Sequence, residues 1–178
     1  GAADAEAVTR AFAHASDLAY AAVDKPVEGT VLTVARAAAQ GARAVDSGRL
    51  ADVVTAAADA AREALARTPE QLDVLARAGV VDAGGRGLVV LLDAMVETVT
   101  GYRRPREAAP LPRPAVGSEP AREAYTGPAY EVMFLLDADE SDVAALKRTL
   151  AGLGDSLVVV GGERLWNVHV HVDDAGAA

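Results

Sequence analysis

Residues 165–172 read LWNVHVHV. Apolar and polar residues alternate without a slip, with Trp166, Val168, Val170 and Val172 in one set and Asn167, His169 and His171 in the other. Successive side chains of a strand point to opposite faces, so this pattern predicts a half-buried β-strand whose polar face carries two histidines. Upstream, GGE at 161–163 gives a turn, and the apolar run SLVVVG at 156–161 predicts a strand at the centre of a sheet. Ser141 is placed to cap a helix that turns Val143, Leu146 and Leu150 inward. YEVMFLL at 130–136 predicts the first strand. The order strand, helix, strand, strand makes residues 129–178 a small α+β (β-α-β-β) unit with its helix on one side of the sheet. A sheet this small is expected to continue into further chain.

Further upstream the pattern changes twice. Six of the eight prolines (Pro105, Pro110, Pro112, Pro114, Pro120 and Pro128) fall between 103 and 128, which predicts a stiff, extended linker. Residues 1–102 are alanine-rich and periodic at helical spacing. Val8, Phe12, Ala15, Ala19 and Ala22 form one stripe; Val31, Val34, Ala38, Ala42 and Val45 a second; Leu50, Val53, Ala57, Ala61, Ala64 and Leu65 a third. A fourth helix is expected to open at Thr68 as N-cap, with Pro69 at its first position and Gln71 completing a capping box, and to end at Gly79. A fifth runs from about Gly85 to Thr100, with Leu88, Leu91, Leu92 and Met95 as its core face. The expected fold is therefore multi-domain, an all-α part followed by a linker and an α+β part.

The 178 residues carry a formal net charge of −9 and no cysteine. The acidic balance argues against nucleic acid and anionic membranes as partners. The missing cysteines exclude disulfides and thiolate metal sites, which is compatible with a cytoplasmic setting. No apolar run approaches the roughly 20 residues of a membrane span. The chain starts at Gly1 rather than Met and ends in DDAGAA, and is expected to be a piece of a longer protein.

GVVDAGGRGL at 79–88 packs three glycines behind an aspartate. It lacks the Gly-Lys-Ser/Thr of a phosphate-binding P-loop and follows a helix rather than a strand, so it matches no dinucleotide fingerprint. Two readings stand. It is a helix C-cap followed by a helix start. Alternatively, Gly84, Gly85 and Gly87 let backbone approach an anion at the amides of the next helix, with Asp82 on a ribose or behind a metal. Arg77 and Arg86 flank it, either reaching phosphate or lying solvated at helix ends. A second loop, DKPVEGT at 24–30, likewise precedes a helix. His14 falls on a helix flank.

AYAAVDKPVEGTVLTVARAAA and TPEQLDVLARAGVVDAGGRGLVVLLDAM, taken together, resemble the ATP-binding helical domain of the DhaL (dihydroxyacetone kinase) type. They look most like the branch found in the ATP-binding subunit of bacterial fatty acid kinase. GDSLVVVGGERLWNVHVHVDDAG resembles the start of that branch's middle domain. The likeness covers nearly all of the chain outside the linker, with three motifs in the right order. It implies part of an eight-helix barrel binding Mg-ATP at one end. It implies phosphorylation of a fatty acid carboxylate presented by a separate lipid-carrying protein, and a homodimer is expected. By that likeness Gly29 and Thr30, together with Asp82, Ala83, Gly84 and Gly85, border the nucleotide. The family's metal-holding DGDTG-type segment and its phosphate-cradling RGNSG-type segment have no counterpart here, and Asp4, Asp17 and Asp24 do not make such a cluster. The piece by itself is therefore expected to be inactive, and no catalytic residue is assigned.

His169 and His171, at i and i+2 on one strand face, lie about 6.6 Å apart along it. On spacing alone they are either a chelating pair or two partly exposed polar-face residues. In the family's middle domain a cysteine on an upstream YCTEF strand joins such histidines on zinc; here the matching YEVMF puts Glu131 there. The resemblance thus implies Glu131, His169 and His171 as a possible zinc site, with Asp173 or Asp174 orienting an imidazole. Three functions are weighed: a non-catalytic dimerisation or partner-docking module with a structural zinc, a metal-dependent hydrolase, and part of a kinase subunit. The hydrolase has no nucleophile or second metal cluster in the sequence.

Overall fold

The computed structural model describes residues 4–103 and 127–178. Most of the proline-rich stretch at 103–128 lies outside them. The chain is mixed: a helical part comes first and a small antiparallel sheet second. The described residues fall into two compact units, one holding residues 4–19 and 27–103, the other 20–26 and 127–178.

The helical unit contains α1 (Ala5–Ala22) as far as residue 19, α2 (Val31–Ala44), α3 (Leu50–Ala66), α4 (Thr68–Gln71), α5 (Asp73–Ala78) and α6 (Ala83–Thr100). Its core is built of small side chains. Val34, Ala38 and Ala42 of α2 face Val53, Val54, Ala57, Ala58 and Ala61 of α3, all nearly inaccessible. Alanine on both stripes lets the two helices approach closely, as expected from the sequence. The closeness is greatest at Gly41, where a Cβ would stand 2.6 Å from Ala56 O and 2.6 Å from the Ala60 Cβ.

Several elements depart from the sequence reading. The fourth helix is two short ones, because Leu72 is extended (φ −135°, ψ 104°) between α4 and α5. Thr68 does not act as a helix cap; α4 has no side-chain cap, and the capping box with Gln71 is not formed. Gly79 does end α5, in the left-handed conformation. The α6 core face is Gly85, Val89, Leu92 and Val96, one residue out of phase with the expected Leu88, Leu91, Leu92 and Met95. Leu91 is 68% exposed and Met95 39%, while Leu88 is partly buried. Gly85 decides this phase, because its missing side chain lets α6 lean on Val34 and Leu65. In α1 the buried residues are Ala5, Ala13 and Ser16; Ala15 is exposed, and Val8 and Phe12 pack only at the margin of the core.

The second unit contains β1 (Tyr130–Asp137), α7 (Glu140–Ala151), β2 (Gly154–Gly162) and β3 (Leu165–Val172). The sheet order is β1-β3-β2, antiparallel throughout. The central strand is therefore the alternating one, and the apolar run SLVVVG sits at an edge. On the covered face of β2, Leu157 and Val159 pack against Val143 and Leu150 of α7, and the Tyr20–Pro26 segment of the same unit also meets β2. There the Asp24 amide donates to Leu157 O at 3.1 Å. Ser141 lies inside α7, and the N-cap is Asp139. Val168, Val170 and Val172 are fully buried with Val143, Leu150, Leu157 and Val159. Each such buried valine contributes about 1.5–3 kcal/mol relative to an exposed one. The β2–β3 turn holds Glu163 and Arg164 at positive φ (50° and 75°). That is the twist a two-residue hairpin turn needs. Arg164 is held there by Asp137 (3.0 Å) and Asp139, on β1 and just beyond it.

Candidate functional site

In the helical unit, the two loops singled out by sequence come together. A Cβ on Gly84 would lie 3.3 Å from the Val31 Cβ, so the first turns of α2 and α6 lie side by side. Gly29 is buried at φ +80°, and a Cβ there would meet Leu72 Cβ at 2.9 Å and Thr68 O at 3.0 Å. Only glycine combines that conformation with that proximity. Thr30 is the N-cap of α2: its hydroxyl accepts from Leu32 N (3.4 Å) and donates to Val27 O (2.7 Å). Asp82 is the N-cap of α6, accepting from Gly85 N at 2.6 Å. Ala83 and Gly84 follow it, exposed at the helix start. Gly85 itself is a packing glycine, since a Cβ would press on Val34 Cγ2 at 2.8 Å.

Residues to which the sequence gave no such role hold these loops in place. Thr33 Oγ1 accepts from Gly29 N (2.9 Å) and donates to Glu28 Oε2 (2.6 Å). Arg36 clamps the same carboxylate with two N–H groups at 2.9 and 2.6 Å. The signal was present: Thr33 and Arg36 share a helix face that a loop residue before the N-cap can reach. Thr68, 0% exposed, ties the second loop to α3; its hydroxyl accepts from Asp82 N (3.1 Å) and donates to Leu65 O (2.8 Å). Thr68→Val keeps the shape and removes both bonds, leaving the part-buried Asp82 N–H without its acceptor. It is expected to cost the helical unit about 2 kcal/mol, read as a lowered thermal midpoint in far-UV circular dichroism.

The other charged residues that the sequence singled out in the helices do not join these loops. Arg77 and Arg86 are exposed, on α5 and α6, and His14 is exposed on α1. Asp4 caps α1 by accepting from Ala7 N (2.7 Å), and Asp17 is exposed, as is Asp24 in the second unit.

In the second unit, β3 turns His169 and His171 to the sheet face opposite α7. Their ring centroids are 5.0 Å apart. The register pairs Glu131 of β1 with His171 and Met133 with His169. Glu131 Oε1 lies 3.3 Å from His169 Nδ1. Two ligands on a tetrahedral zinc with bonds of about 2.0–2.1 Å stand about 3.3 Å apart, so this pair is already spaced as two ligands. One ligand atom from each of Glu131, His169 and His171 lies within 4.8 Å of the others, the widest gap needing a rotamer shift to close. Two imidazoles and a carboxylate are a donor set that fits zinc, with a fourth position for water. Asp173 and Asp174 do not orient these rings: Asp173 accepts from Ala129 N (3.1 Å) and Asp174 from Gly176 N (2.8 Å).

Beside the histidines, the same face exposes Met133, Leu135, Val160 and Leu165. Among the described residues no helix is long and apolar enough to cross a membrane.

Comparison with known proteins gives a family for each unit. Residues 1–97 match the family model of the DAK2 domain, and residues 127–178 match that of the FakA-like middle domain of fatty acid kinase. Protein YloV of Bacillus subtilis is 37% identical over 90% of this chain and 32% of its own length. A protein of Staphylococcus saprophyticus is 29% identical over 97% of this chain and 34% of its own. One of Staphylococcus epidermidis is 31% identical over 90% and 31%. The chain thus spans about a third of the length of these relatives.

Proposed function

The chain belongs to the DAK2-domain family and carries a FakA-like fatty acid kinase middle domain, and from that premise we propose that it is part of an ATP-dependent kinase subunit. In this reading the kinase phosphorylates the carboxylate of a fatty acid presented by a lipid-carrying protein. The observation that carries it is the meeting of the VEGT and DAGG loops at the starts of α2 and α6, where Gly84 lies against Val31. Gly29, Thr30, Asp82, Ala83, Gly84 and Gly85 form one wall of a nucleotide pocket at the end of a helical barrel. Glu28, Thr33, Arg36 and Thr68 hold that wall rigid. The protein works in the cytoplasm as a homodimer.

The residues present fit only part of Mg-ATP. Asp82 places a carboxylate on the amide that a phosphate would use at α6, which favours contact with ribose or with a hydrated cation over contact with bare phosphate. Among the described residues of the helical unit no carboxylate cluster is built for magnesium. Phosphoryl transfer depends on metal ions that neutralise the phosphates, so no transfer step is assigned to these residues. Zinc, where bound, would tie β1 to β3 and polarise a water at its open position; Glu131, His169 and His171 would hold it.

With Mg-ATP, a fatty acid and its carrier, the 178-residue chain is expected to make no acyl phosphate, trapped as the hydroxamate. A longer chain that includes an upstream DGDTG-type segment is expected to make it. A longer chain with that segment and no hydroxamate overturns the kinase reading. A second reading, a non-catalytic docking module with a structural zinc, is favoured by the exposed Met133, Leu135, Val160 and Leu165 beside the histidines.

A further inference from the structure

The ladder between β2 and β3 contains an irregularity whose position is informative. His171 pairs with Asp155, but His169 pairs with Val158. Two residues along β3 are thus matched by three along β2, which is a β-bulge. Counting back from Val158 in a regular ladder, Ser156 would stand opposite His171. Asp155 would then point to the side that carries Leu157 and Val159, the α7-covered core. The extra residue reverses this and brings the Asp155 carboxylate to the histidine face. The cost is visible in the backbone: Ser156 has φ +55°, a left-handed conformation unusual for a residue with a side chain. Its hydroxyl donates to Asp155 Oδ1 at 3.0 Å, and the same oxygen stands 3.8 Å from His171 Nδ1.

We propose that Asp155 is a positioning residue of the metal centre, directing His171. The inference rests on reading Glu131, His169 and His171 as that centre. At 3.8 Å the carboxylate does not hydrogen-bond Nδ1, but its charge on that side favours the tautomer with its proton there, which leaves the Nε2 lone pair free for a metal. Asp155 fills the role that sequence reading gave to Asp173 or Asp174, both of which hold backbone amides instead. Ser156 supports it twice, by the bulge conformation and by its hydroxyl. The centre then draws on all three strands: Glu131 from β1, the histidines from β3 and the orienting carboxylate from β2.

The test is a titration of the whole 178-residue chain with Zn2+ against a competing chelator, alongside Asp155→Asn and Asp155→Glu. Asp155→Asn is expected to weaken Zn2+ binding about 10- to 100-fold, with Asp155→Glu recovering part of the loss. In the metal-free proteins, nitrogen-15 spectra of the imidazoles should show His171 protonated at Nδ1 in the wild type and moved toward the Nε2–H tautomer in Asp155→Asn. A merely structural role for Asp155 would move the melting temperature and not the tautomer. Wild-type chain that takes up no stoichiometric Zn2+ overturns the metal reading and this proposal together. Wild-type chain that binds Zn2+ while Asp155→Asn binds equally well, with the His171 tautomer unchanged, overturns the assignment of Asp155 alone.

Discussion

Gly41→Val is expected to lower the stability of the helical unit by about 3 kcal/mol, the upper end of what overpacking costs. Two effects compete. A β-branched residue is a better helix former than glycine by a few tenths of a kcal/mol. Against that, the new Cβ would stand 2.6 Å from a backbone oxygen of α3, Ala56 O, and 2.6 Å from the Ala60 Cβ. A backbone carbonyl cannot rotate away as a side chain can, so α2 and α3 must separate and their alanine stripes lose contact. At about 4–8 °C per kcal/mol for a unit of this size, the midpoint should fall by more than 10 °C in far-UV circular dichroism. Gly87→Ala is the control. It also sits inside a helix, but a Cβ there meets nothing within 4 Å, so propensity acts alone and a gain of about 0.5–1 kcal/mol is expected. Equal responses at the two positions would show that the close α2–α3 approach is not what the glycine serves.

The other large effect concerns metal. With zinc at a hundredfold excess over its dissociation constant, the second unit is expected to gain about 2.7 kcal/mol. Changing His169 and His171 together to alanine should abolish the gain. The chain supplies its own reporter, because its single tryptophan, Trp166, lies on β3 with its indole N–H donating to Ala138 O at 3.0 Å. Trp166 fluorescence should therefore follow the zinc-dependent transition, while the helical signal at 222 nm should be dominated by the other unit. A Trp166 transition that does not move with zinc would refute the metal centre. One that moves equally in the double variant would place the metal elsewhere.

How far the sequence could be read depended on how strictly one face was specified. The α3 stripe and the α2 stripe from Val34 onward emerged correctly, but Val31 is 38% exposed and Val54 and Ala58, off the expected stripe, are buried, because alanine and valine fill more than one face of these helices. The α6 stripe slipped by one residue, because GLVVLLDAM offers apolar residues on several faces and the deciding member, Gly85, has no side chain to count. The break at Leu72 left no mark of its own, as leucine is at home in a helix; it takes Gly29 pressed against it to make sense of it. In the second unit the alternation of β3 placed the histidines and the buried valines correctly. Its central position was missed because edge strand β2 reads as apolar on both faces, with Leu157 and Val159 under α7 and Val160 exposed. Glu131 came from a family resemblance rather than from periodicity. Asp155 was hidden by the bulge, which puts a residue on the face that strict alternation denies it.

The strand order also sets a sequence of events. β2 and β3 are joined by the two-residue turn at Glu163 and Arg164, and hairpins of that kind close in about 1–10 μs. β1 must find β3 across α7 and all of β2, and the longer loop closure makes that the slower step. Asp155 and the two histidines are thus expected to meet early, in a hairpin, with Glu131 arriving last. A nascent chain would present a half-formed binding site before its sheet is complete, and a metal ion captured at that stage would act as a template for the addition of β1.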